Sequence, residues 1–190
     1  MDALRQQATK AGGAFQEWSS LHARATAGLA TAVNILARLP ALQDGGHFEA
    51  LGLGPEEQAE VLGKQLQAFN EALAGVHAAL SGAREPVREL ERAALEAGKR
   101  AAGMSLAAAT QRRGPEPSAA EVAEALQDAW RMCRDELALK QAAVGLLRLD
   151  LPQEDAAALL ACFEAQPNVD AARIQAFLQQ MVETAPRKPL

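Results

Sequence analysis

The chain has 190 residues, 49% of them hydrophobic, and a formal net charge of −5 from 19 basic and 24 acidic side chains. That apolar content sustains a packed core and excludes a disordered chain, and the acidic balance without a basic stripe excludes direct nucleic-acid binding. Alanine and leucine dominate, aromatics are 4% and tyrosine is absent, so helix formers abound, strand formers are scarce and an all-α protein is expected.

The opening "MDALRQQATK" is polar and lacks the apolar core of a signal peptide. No stretch reads as the ~20 apolar residues that span a bilayer. The expectation is a soluble intracellular protein with no membrane partner.

A first helix is predicted from about Leu4 to Leu39. Gly12 and Gly13 weaken its start. Phe15, Trp18, His22, Ala25, Leu29, Ala32, Leu36 and Leu39 recur at steps of three and four, a heptad seam with His22 its one polar member. Asn34 lies beside the seam, either solvated or as a register-setting polar contact. Pro40 is expected to end the helix. Residues 40–54 contain four glycines and read as a loop, with Phe48, Leu51 and Leu53 tucked against the core.

Pro55, Glu56 and Glu57 open a second helix. Its seam is Leu62, Leu66, Phe69, Leu73, Val76, Leu80, Ala83, Val87, Leu90 and Ala94. The register continues across Pro86, which predicts one kinked helix rather than two. It frays between Gly98 and Gly103 or runs on weakly to Gln111.

"RRGPEPS" is a linker, and Ser118 with Glu121 forms a capping box for the third helix. That seam is Val122, Leu126, Trp130, Cys133, Leu137, Lys140, Val144 and Leu147. Lys140 breaks the apolar series. Either it lays its methylenes along the seam and sends its ammonium to water, or it makes a charge contact between helices. A short helix follows from about Pro152 to Ala165. "QPNVD" breaks it, and a last helix from about Val169 to Glu183 buries Ile174, Phe177, Leu178 and Met181.

Together these give an elongated antiparallel helical bundle, or coiled-coil hairpin, of three long helices plus two short C-terminal ones. Residues 1–111 form a long-helix hairpin, 112–117 a linker, 118–184 a helical region packing on it, and 185–190 a polar tail. Gln111–Arg113 and Pro186–Leu190 are small basic spots read as solvated. A narrow alanine-rich bundle leaves apolar surface exposed, so a partner is expected to complete a seam.

Residue chemistry points away from catalysis. Cys133 and Cys162 have no metal-ligand spacing, and His22, His47 and His77 are far apart in sequence. "GLGP" lacks the length and lysine of a phosphate loop. No catalytic, cofactor or metal site is expected, and no enzyme.

Three blocks carry a resemblance. "FQEWSSLHARATAGLATAVNILARL" has a Trp early and an Asn sixteen residues later; "MCRDELALKQAAVGLL" has an Arg, a Glu-Leu pair and a Lys; "QPNVDAARIQAFLQQMVET" has Gln-Pro, a Val two residues on and a closing Glu-Thr. Their order and spacing resemble the cyclin-dependent kinase 2-interacting protein family. The matching positions are Trp18, Asn34, Arg134, Glu136, Leu137, Lys140, Gln166, Pro167, Val169, Glu183 and Thr184. The first nine are the candidate protein-binding residues.

The resemblance implies a non-enzymatic helical adaptor without cofactor, nuclear and cytoplasmic. It implies a heterodimer with a second small helical protein, a ribosome-maturation factor, docked on a hexameric AAA+ ATPase. It implies work in large ribosomal subunit maturation, DNA replication, the cell cycle and checkpoint maintenance, and an association with cyclin-dependent kinase 2. The alternative is a structural coiled-coil subunit of a cytoskeletal, kinetochore or tethering assembly.

Overall fold

The computed structural model describes residues 1–112 and 114–183. Every regular element in them is an α-helix: α1 (Asp2–Gln43), α2 (Gly45–Ala50), α3 (Pro55–Gly82), α4 (Arg84–Ala102), α5 (Leu106–Thr110), α6 (Ala119–Leu146), α7 (Gln153–Ala165) and α8 (Ala171–Glu183). The all-α expectation holds. Arg113, Thr184 and the tail 185–190, which the sequence reading used, lie outside the described residues.

The helices divide into two compact units that interleave along the chain. The first takes Met1–Ser20, Gly82–Ala138 and Pro167 onward, and the second takes Leu21–Ser81 and Leu139–Gln166.

In the first unit the heptad spacings become the core. Phe15 and Trp18 of α1, Leu90 and Ala94 of α4, Val122, Leu126 and Cys133 of α6, and Ile174 and Met181 of α8 are all buried. The capping box at Ser118 forms: the Glu121 backbone N–H donates to the Ser118 hydroxyl at 3.3 Å, and the Ser118 N–H donates to Glu121 at 2.9 Å. An unforeseen ion pair joins Arg5 to Glu116 at 2.5 Å, both side chains mostly shielded from water.

In the second unit Ala25, Leu29, Ala32 and Leu36 of α1 are buried, as are Phe69, Val76 and Leu80 of α3. Gly28 sets how closely these helices pack. A Cβ there would lie 2.9 Å from Val76 Cγ2 and 3.3 Å from the Ala72 carbonyl. The hydrogen side chain is therefore what the contact requires.

Three boundaries differ from those expected. Pro40 lies inside α1, which runs on to Gln43. The Gln58 side chain donates to the Leu42 carbonyl at 2.9 Å, satisfying part of the helix end beyond the proline. The expected loop contains α2, N-capped by Asp44, and of its apolar residues only Phe48 is buried, while Leu51 and Leu53 are exposed. The expected single kinked helix is two, α3 and α4, parted at Ala83. That break puts Pro86 in the first turn of α4, where a missing N–H costs no intrahelical bond. The other end agrees: α4 stops at Ala102, within the Gly98–Gly103 stretch where fraying is expected, and α5 is a separate turn capped by the Ser105 hydroxyl.

Among the described residues, α1 contains one window long and apolar enough to pass a length-and-composition test for a membrane span. No such window is expected from the sequence. The residues that make it apolar, such as Leu29, Ala32, Ile35 and Leu36, are buried core of the second unit.

Candidate functional site

α6 carries two fully buried charged side chains, Glu136 at 0% and Lys140 at 1% exposure. Helical spacing puts them there. Glu136, Leu137 and Lys140 lie three, four and seven residues after Cys133, so all four lie on the core-facing stripe.

Lys140 belongs to the second unit. Its ammonium donates to the Phe163 backbone carbonyl and lies 3.9 Å from the centre of the Phe163 ring. The His22 ring stacks on the same phenyl group, with centroids 6.3 Å apart and planes 24° from parallel. The carbonyl has a reason to need this donor. Phe163 is in the last turn of α7, and the residue four positions on is Pro167, which has no N–H to give. Lys140 supplies the missing hydrogen bond and places its cation over a ring face, an attraction that desolvation strengthens. The ammonium stays inside, so the snorkelling alternative is not the one adopted.

Glu136 belongs to the first unit. Its Oε2 accepts from the Asn168 backbone N–H at 3.0 Å and from the Asn168 side-chain amide at 3.2 Å. Asn168 follows the end of α7, so its N–H has no helical carbonyl to use, and the carboxylate takes it. Glu136 also helps push the neighbouring Cys133 thiol up to about 12, with burial the larger cause. Cys133 is thereby held as an inert thiol. Cys162, on α7, is exposed.

Between Phe163 and Asn168 in sequence stand Gln166 and Pro167. Gln166 ends α7 in the left-handed conformation, with φ 46° and ψ 59°. That conformation is costly for a residue with a Cβ, and the following proline disfavours helical backbone before it.

The other candidate residues fall into different settings. Trp18 is buried with 1% exposure, and among the described residues its indole N–H has no hydrogen-bond partner. Leu137 is core. Asn34, Arg134, Pro167 and Glu183 are exposed, and Gln166 and Val169 are half-buried. Arg134 lies 4.8 Å above the Trp130 ring and pairs with Asp135 at 2.8 Å. Thus Trp18, Glu136, Leu137 and Lys140 are interior residues, where they act on the fold. Phe163 and Asn168, the groups these charges hold, are not among the residues expected from the sequence. Their signal was available: one lies four residues before Pro167, the other directly after it.

Among the described residues no group of three or more His, Cys, Asp or Glu side chains could hold a metal ion. What the arrangement does chemically is satisfy backbone groups that a proline-broken helix leaves without partners.

The pattern of the family described as CA109-like, "Ribosome biogenesis protein C1orf109-like", matches residues 1–185. The chain belongs to that family. The match supports a role in ribosome biogenesis for this C1orf109-like chain. It also narrows the earlier resemblance: the family matched is a relative of the cyclin-dependent kinase 2-interacting proteins, and membership of that second family is not what the match establishes. No curated protein matches the chain.

Proposed function

We propose that this C1orf109-like chain is a non-enzymatic helical adaptor in large ribosomal subunit maturation. It pairs with a second small helical protein, of the cyclin-dependent kinase 2-interacting type. The pair docks on a hexameric AAA+ ATPase, which supplies the ATP chemistry. The observation that carries this reading is the family match across residues 1–185.

Two further features support it. The conspicuous buried charges are spent on holding backbone groups of this chain. Large apolar side chains are left in the open, among them Leu51, Leu106, Leu146 and Val182, as suits a protein that works by association.

The test is affinity purification of the tagged chain at its native level from the source cell, with sedimentation of the eluate. An AAA+ ATPase and a small helical protein should co-purify and travel with large-subunit precursors. An eluate of cytoskeletal proteins without an ATPase would overturn the reading in favour of a structural coiled-coil subunit.

A further inference from the structure

We infer that the groove formed by the end of α6, the 147–152 turn and α7 is a docking site for an amphipathic helix of another chain, one that brings leucine-type anchors and a lysine or arginine beside Asp155. The inference deepens the pairing proposed above and rests on it.

The first ground is the character of α7. Its sequence, "QEDAAALLACFEA", is apolar nearly all round, and a helix of that kind belongs in an interior. Yet only Ala156 and Phe163 are buried, while Ala158, Ala161 and Cys162 are exposed. The second ground is the groove. It has a volume of about 480 Å³ and is lined by Leu146, Leu151, Ala158 and Leu159, with Arg148 and Asp155 as its charged members. Leu146 is 60% exposed, and nearby Leu149 is 53% exposed. Asp155, Ala158, Leu159 and Cys162 follow at i, i+3, i+4 and i+7, so the groove continues as a stripe along α7 for about 10 Å. Alanine at its centre lets a second helix approach closely, towards the short end of the 8–10 Å range between packed helices.

Charge selects the occupant. Arg148 is already engaged by Asp150 at 3.3 Å. Glu154 and Asp155 have no ion pair in the described residues, so the free charge at the groove is negative. A second copy of this chain would bring the same acids to the face. A partner helix with a basic residue there would be attracted, in both rate and register.

Cys162 closes the stripe at its far end and reports on a partner laid along it. Cys133 is buried with its thiol pushed up to about 12, so maleimide modifies Cys162 selectively in the native protein. The experiment measures that rate for the chain alone and for the chain co-expressed with the cyclin-dependent kinase 2-interacting protein of the same source. It is paired with the affinity of Ala158→Glu for that protein. Because Ala158 is exposed, the variant should keep its helix content. Modification in the complex should slow by about tenfold or more, and Ala158→Glu should weaken association about tenfold or more. An intact complex in which Cys162 reacts as before and Ala158→Glu binds normally overturns the α7 face and leaves the pairing standing. No complex with the unaltered chain overturns the pairing itself. A chain that self-associates by light scattering, with Cys162 already shielded, overturns the inference in favour of a second copy.

Discussion

The carboxylate of Glu136, with no exposure to solvent, accepts two hydrogen bonds from Asn168, at 3.0 Å from the backbone N–H and 3.2 Å from the side-chain amide. A buried carboxylate is costly unless its oxygens are engaged, and a chain turning out of α7 leaves an N–H in need of an acceptor. Glu136→Ala should therefore cost ~1–3 kcal/mol, the usual penalty for stranding a buried partner. Glu136→Gln keeps an acceptor for that N–H and should cost less. Asn168→Ala retains the backbone donor and should be the mildest of the three. Urea unfolding of the three variants checks the order. An equal loss in all of them would mean that the contact is incidental.

Lys140 makes the opposite prediction to a solvated lysine. If its ammonium reached water, Lys140→Met would add apolar packing at a seam position and stabilise the chain. With the ammonium held on the Phe163 carbonyl, the same change removes a donor that Pro167 cannot replace. Lys140→Met should destabilise by ~1–3 kcal/mol. Lys140→Arg, which keeps a donor and a cation, should lose less. A higher melting temperature for Lys140→Met would return the residue to the solvated class.

Much of this was legible in the sequence, and what was not has identifiable causes. The seams of α1, α4 and α6 are read from steps of three and four because apolar side chains mark the buried face themselves. Glu136 also sits at such a step from Cys133 and Lys140, but a glutamate there reads as solvated until its partner is known. Asn168 is that partner, 32 positions away in sequence. Gly28 is invisible to periodicity because it has no side chain to score, and only the approach of Val76 reveals it. The break at Ala83 was hidden for a related reason. Ala83, Val87 and Leu90 are all buried, so the apolar register passes through the interruption unchanged.

Gly28 and Gly75 should respond oppositely to the same substitution. Alanine is favoured over glycine inside a helix by ~1 kcal/mol. At Gly75, exposed in α3, a Cβ meets nothing within 4 Å, so Gly75→Ala should stabilise by about 0.5–1 kcal/mol. At Gly28 the same Cβ meets the Val76 side chain at 2.9 Å and a backbone carbonyl at 3.3 Å. Val76 is β-branched and fully buried, so it cannot turn aside without strain. An overpacking cost of ~1–3 kcal/mol should exceed the helix gain. Calorimetry should show Gly75→Ala melting above the unaltered chain and Gly28→Ala below it. Two variants that melt alike would mean that α1 and α3 are not held this closely at Gly28.

Glu121 gives a prediction in pH. The Arg112 guanidinium, hydrogen-bonded to both carboxylate oxygens, and the Ser118 N–H and hydroxyl hold its pKa down from an ordinary 4.5 to about 2. A carboxylate depressed on folding contributes stability that is fully present above the unfolded pKa. That contribution is lost as pH falls through the folded pKa. The window here runs from about pH 4.5 down to about 2. Glu121→Gln keeps a side chain able to close a capping box and removes the charge that Arg112 meets, so the two proteins differ chiefly in that charge. The variant should be less stable than the unaltered chain at pH 7. Since the pair is exposed at the surface, the gap should be small and should shrink with added salt. Urea midpoints followed downward in pH should converge below about pH 4.5 and meet near pH 2. A gap that stays constant across that range would show that Glu121 works through its hydrogen bonds to Ser118 alone, with Arg112 contributing nothing to stability.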